Sequence, residues 1–179
     1  MSKEYTDDDT MSDDERAIVA RVFLKETNWM LDKLVKKHLE VKELSQMLLL
    51  MGGDTVIFDG WGQLYDLSDI LHNGKIVEVE DVGMDLAKGK DCPVGYCWCN
   101  TAAFVLENPN LSPVYAFALN SHYKTFSFWM EHFIVKDKNT GKYFEATDID
   151  SITKYYVMDI TFDHMNDMES KYFGFEYDD

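Results

Sequence analysis

The sequence predicts an α+β fold in which N-terminal helices precede a helix bearing Cys97, packed on an antiparallel sheet. Three observations carry this expectation. Apolar residues recur at helical spacing through positions 12–52, the texture turns β-branched and aromatic from Thr55, and a short apolar segment after Cys97 is followed by four strand-like runs. Residues 1–11 are polar and acidic and are expected to form a tail. Residues 12–179 are then one domain, with a helical part at 12–52 and a sheet-containing core at 53–179.

Ser12-Asp13-Asp14-Glu15 has the form of a capping box, in which hydroxyl and carboxylate satisfy free backbone donors. Ile18, Val19, Val22 and Phe23 follow at helical spacing, so a helix is expected from about residue 13 into the late twenties. Trp29, Leu31, Leu34 and Val35, then Leu39, Leu44, Met47, Leu48 and Leu50, continue the pattern until Gly52-Gly53 stop it. The apolar stripes of these helices are expected to be core packing rather than a partner-binding groove.

Residues 55–58 and 76–79 read as short strands, with a short helix at 64–71 that ends near Asn73-Gly74. Residues 98–107 form an apolar run closed by Pro109, a helix with Cys97 at its N-terminus. Strands follow at 114–120, 126–136, 142–147 and 155–161.

Composition bounds the function. Hydrophobic residues at 46% and aromatics at 14% suffice for a packed core. A net charge of −16 repels phosphate backbones, so nucleic acid is not an expected partner. The same charge suits a basic protein partner, and mimicry of DNA toward a DNA-binding protein is the rarer alternative. No stretch approaches the roughly 20 apolar residues of a membrane span, and the acidic start does not resemble a signal peptide, so a cytoplasmic location is expected.

Three cysteines, Cys92, Cys97 and Cys99, fall on one short segment, which is no secreted disulfide framework. Zinc would need a fourth ligand, and no His or Cys recurs at finger spacing. Pairs such as Asp148 with Asp150 or Asp159 with Asp163 lack the calcium-loop pattern and read as a solvated acidic face. No metal and no cofactor is expected. His122 and His164 sit in polar surroundings and are expected at the surface.

A thiol at the first turn of a helix feels the positive end of the helix dipole and free N–H groups, which favour thiolate. Cys97 is therefore the candidate nucleophile. The run 126–136 reads as a strand buried on both faces, yet Glu131 and His132 interrupt it, and a polar group there must be paired or used. Asp137-Lys138-Asn139-Thr140-Gly141 is turn chemistry, so this strand should fold back on 142–147 as a hairpin. With an even loop, His132 and Glu145 share a face within side-chain reach, and Glu145 can orient His132 as the base. With an odd loop or a bulge, Asp148 takes that place. Asn100, one helical turn from Cys97, could line the site or cap the turn. If the helix begins later, Cys99 replaces Cys97 as the thiol.

The pattern Gly-Tyr-Cys97-Trp98-Cys99-Asn100-Thr101-Ala102, then Glu131-His132-Phe133-Ile134-Val135, then Glu145-Ala146-Thr147, resembles a group of uncharacterised phage and bacterial proteins. In that group Cys-aromatic-x-Asn-Ala, His-Ala-Trp and Asp-Pro-Thr elements follow in order. The arrangement is similar to papain-like and transglutaminase-like folds, where a helix bearing Cys packs on a sheet bearing His and an acid. The resemblance covers about residues 95–148. It implies Cys97 as nucleophile, His132 as base and Glu145 in the acid position. Phe133-Ile134 stands where the group has Ala-Trp, and Glu145-Ala146 where it has Asp-Pro.

The leading expectation is a cysteine-dependent acyl-transfer enzyme, a peptidase, amidase or transglutaminase-like protein acting on a protein or peptide-like substrate. The alternative is a non-enzymatic acidic interaction protein, such as a phage factor that binds a host protein in the host cytoplasm, on a degenerate cysteine-enzyme fold. The sequence assigns no oligomeric state.

Overall fold

A computed structural model describes residues 11–58, 64–84, 86–87, 92, 95–121, 126–149 and 151–170. Residues 1–10 of the expected tail at 1–11, residues 171–179, His122 and Asp150 lie outside the described residues. Five helices and a seven-stranded, mostly antiparallel sheet make an α+β arrangement among the described residues.

Helix α1 (Asp13–Lys37) starts at the capping box: the Ser12 hydroxyl accepts from the Glu15 N–H, and Glu15 accepts from the Ser12 N–H at 2.9 Å. It runs well beyond the late twenties and breaks at His38, whose extended backbone starts α2 (Leu39–Leu50). The stripes do not all pack inward as expected. Val41, Leu44 and Leu48 of α2 are core, whereas Ala20 alone is fully buried on α1, and Ile18, Val22 and Trp29 face water.

After Gly52-Gly53 come β1 (Thr55–Ile57), α3 (Leu64–Asn73), β2 (Lys75–Glu78) and, beyond a 3-10 turn at 79–81, the short β3 (Val82–Gly83). Gly53 has φ +87°, and an added Cβ would meet Leu119 Cδ1 at 3.0 Å and Trp129 Cδ1 at 3.2 Å. Gly95 has the same φ with open space around it. Gly53→Ala is therefore expected to destabilise by about 2–3 kcal/mol and Gly95→Ala by only about 1 kcal/mol, measured by urea denaturation.

Helix α4 (Cys97–Glu107) leads into β4 (Leu111–Asn120), β5 (Phe128–Asp137), β6 (Tyr143–Phe144), β7 (Ile152–Asp159) and α5 (Phe162–Ser170). Strand β6 is much shorter than the expected 142–147, β7 begins and ends earlier than 155–161, and α5 had no counterpart in the sequence pattern. Strand order is β2-β7-β4-β5-β6-β3, with β1 added in parallel on β5. β3 also runs parallel to β6, so the sheet is not purely antiparallel.

One face of the sheet carries Tyr115, Phe117, Trp129, Phe133, Tyr156 and Met158, and packs against α2, α3 and α5. The other face carries Val114, Ala116, Ala118, Ile134, Tyr155 and Val157. Here the sheet curls until its edge strands β2 and β3 border one groove of about 600 Å³. No helix among the described residues is long and apolar enough to cross a membrane.

Candidate active site

Three local devices bring the site together. Gly95 turns the chain with its positive φ, and the first intrahelical bond, Asn100 N–H to the Tyr96 carbonyl at 2.9 Å, sets the start of α4 at Cys97. Tyr96 provides no side-chain cap, so the first backbone N–H groups of α4 have no intrahelical acceptor. Cys97 is half-buried at this terminus.

The second device is the hairpin. Val135 pairs with Phe144 and Lys136 with Tyr143, so opposed positions sum to an odd number and the loop is even. The Asp137 N–H donates to the Lys142 carbonyl at 2.9 Å, which leaves Lys138 to Gly141 as the turn. Glu145 then falls diagonal to His132 on one face, and its N–H extends the β3 ladder to the Gly83 carbonyl at 2.8 Å.

The third is a run of small residues on β4. Ala116 lies directly opposite His132, and Ala118 directly opposite Tyr155 on β7, so neither ring is crowded by its cross-strand neighbour. The imidazole and phenol rings sit 6.4 Å apart between centroids.

His132 is 2% exposed and Glu145 0%. His132 Nε2 lies 2.9 Å from Glu145 Oε1 and 3.0 Å from Oε2. Oε1 also accepts the backbone N–H groups of Ala146 and Thr147, each at 3.0 Å, and Oε2 accepts the Tyr155 hydroxyl at 2.8 Å. A carboxylate with this many donors is fixed in place. Burial and the adjacent carboxylate push the Tyr155 phenol far up, so it stays a donor.

Burial alone would lower the His132 pKa. The Glu145 carboxylate and the Cys97 sulfur, through charge and hydrogen bonding, outweigh it and hold the imidazole well above its ordinary value. The second ring nitrogen, Nδ1, is buried and has no hydrogen-bond partner of normal geometry. Cys97 is thus near enough to influence the ring without a hydrogen bond of normal geometry to Nδ1.

Several expected residues take other places. Cys99 is exposed, because α4 begins at Cys97 and successive helical side chains diverge by about 100°. It does not replace Cys97. Asp148 is exposed, and its N–H donates to the Cys92 carbonyl at 3.2 Å; the even loop gives its place to Glu145. Glu131 is buried on the opposite face of β5, where it accepts the Tyr115 hydroxyl. Asn100 is buried and donates to the Thr147 hydroxyl at 3.2 Å, so it ties the first turn of α4 to the segment behind Glu145 instead of pointing to an oxyanion. His164 is only partly exposed and lies 2.6 Å from Asp66 Oδ1, a pair brought together by α5 and α3.

Tyr155 is the site residue that sequence reasoning missed. The signal for it was the alternation of alanines with aromatics in 114–119, which marks room for large cross-strand neighbours. No cluster of three or more His, Cys, Asp or Glu able to hold a metal occurs among the described residues. Comparison with protein-family models, with curated proteins and with solved structures gives no match in any of the three.

Proposed function

We propose that this protein is a cysteine-dependent acyl-transfer enzyme, with Cys97 as nucleophile, His132 as proton carrier and Glu145 as the acid that orients it. The observation that carries the reading is the buried His132 ring, bonded at Nε2 to both oxygens of Glu145 and acted on by a thiol at the first turn of a helix. The helix bearing Cys and the sheet bearing His and the acid favour a papain-like or transglutaminase-like core. The substrate class is a protein or peptide-like amide or thioester. The −16 charge favours a basic protein as its source, a host protein if a phage encodes the chain.

An imidazolium beside a sulfur at a helix N-terminus favours the ionised, nucleophilic form of that sulfur. The Cys97 sulfur attacks the acyl carbon, and the oxyanion forms near the backbone N–H groups of the first turn. The new C–S bond stays as the acyl carbon's bond to its leaving amine or thiol breaks, and His132 gives that group its proton. Water or an amine then attacks the thioester, His132 takes the incoming proton, and the Cys97 thiolate leaves. Glu145 keeps one ring orientation through both halves, and Tyr155, Ala146, Thr147 and Asn100 act as positioning groups behind it.

A second reading, a binding protein on a degenerate cysteine-enzyme fold, draws on the near-complete burial of His132 and Glu145. One experiment separates the two. Incubation with p-nitrophenyl acetate and mass mapping should place a single acetyl group on Cys97 in a burst, with exposed Cys99 nearly untouched. Equal labelling of Cys97 and Cys99 would favour the binding reading.

A further inference from the structure

Helix α1 carries an apolar line on the side turned away from the body. Its inward side packs through Ala20, Phe23, Leu24, Leu31, Leu34 and Val35. At about 100° per residue, Ile18, Val22 and Trp29 fall within about 40° of one another on the opposite side. They are 59%, 51% and 60% exposed. The Lys33 ammonium lies 3.9 Å from the centroid of the Trp29 ring, so its stem borders the same line.

The line has a periodicity of its own. Glu15, Ile18, Val22, Lys25, Trp29, Asp32 and Lys36 alternate steps of three and four, the spacing of a two-helix seam. The two ends of the helix carry opposite charge, with Asp13, Asp14 and Glu15 in the first turn and Lys36 and Lys37 in the last. Reversal of the helix therefore maps acid onto base and Val22 onto Trp29.

We propose that the outer face of α1 is an isologous contact between two copies of this chain, with their α1 helices antiparallel and the two-fold axis between Lys25 and Glu26. In this register Val22 opposes Trp29 of the second copy, and Ile18 meets the aliphatic stem of Lys33. Glu15 reaches Lys36 of the second copy, and Lys25 faces Glu26. A parallel pair would instead set acid against acid at one end and base against base at the other. A uniformly basic partner would match only the first turn, whereas a second copy matches both ends.

A single pair of helices about 37 Å long covers less than the roughly 800 Å² per partner of a standard interface, and two chains of −16 repel at long range. The contact is accordingly a weak one. It involves no residue of the Cys97 site, so it stands or falls apart from the proposed chemistry.

Sedimentation of the full chain from about 1 μM to about 1 mM tests it. The expected result is a reversible monomer–dimer equilibrium that Trp29→Ala, and independently Ile18→Ala, weakens about ten-fold or more. Both residues face away from the body, and circular dichroism of the variants should match the parent chain. A variant with Asp13→Lys and Asp14→Lys, and another with Lys36→Glu and Lys37→Glu, should each dimerise poorly alone and associate again when mixed in equal amounts. A chain that stays monomeric throughout, a dimer indifferent to Trp29→Ala and Ile18→Ala, or a mixture no better than its parts would overturn the proposal.

Discussion

Replacement of Glu145 by Ala is expected to lower stability by about 3–5 kcal/mol, the cost of removing one partner from a buried, hydrogen-bonded charge pair. The substitution strands four donors at once: the His132 ring, the N–H groups of Ala146 and Thr147, and the Tyr155 hydroxyl. None of them reaches water easily, since His132, Ala146, Thr147 and Tyr155 are all buried. For a domain of this size each kcal/mol shifts Tm by about 2–4 °C, so a fall of about 6–20 °C should appear in a thermal melt. Glu145→Gln keeps an acceptor for part of this network and should fall between the two. A melt within about 2 °C of the parent would mean that the acid does not hold the segment as described.

The same pair sets a pH dependence of definite sign. The folded chain holds the His132 proton more tightly than the unfolded chain, whose ordinary value is 6.5. The stability contributed by the imidazolium is therefore present in full below 6.5 and is lost as pH rises through the raised folded value. Glu145→Gln, which removes the charge that favours the imidazolium, should flatten this slope on the alkaline side.

The second large effect is on the reactivity of Cys97. A thiol beside an imidazolium reacts faster than an isolated one, by about ten-fold near neutral pH. His132→Gln removes that imidazolium. The expected result is a roughly ten-fold slower alkylation of Cys97 by iodoacetamide near pH 7. Cys99, exposed on the same helix, serves as an internal reference and should not respond to the substitution. Equal rates for parent and variant near neutrality would remove His132 from the chemistry.

What the sequence carried and what it did not follows from the range of the interactions. The start of α4 was legible because Gly95 and the apolar run after Cys97 are local signals. The approach of His132 to Glu145 was legible because a turn sequence and strand alternation fix which residues share a face. Nothing local marks Tyr155 as the donor to Glu145, since that contact crosses from β7 to the segment after β6. The parallel additions of β1 to β5 and β3 to β6 were equally illegible, because they depend on how far the sheet curls. Helical spacing on α1 suggests core packing, but spacing alone does not say which of two apolar lines faces the body. Phe23, Leu31 and Leu34 define the inward line, and Ile18, Val22 and Trp29 the outward one.

The central claim is that Cys97 acts on His132 while Glu145 orients the ring. Nitrogen NMR shifts of the His132 ring followed across pH, in the parent chain and in Cys97→Ala and Glu145→Gln, test this most directly. The account predicts an imidazolium that persists well above pH 6.5 in the parent chain and is lost at lower pH in each variant. A ring that titrates at its ordinary value in the parent chain, or one unmoved by both substitutions, would contradict it.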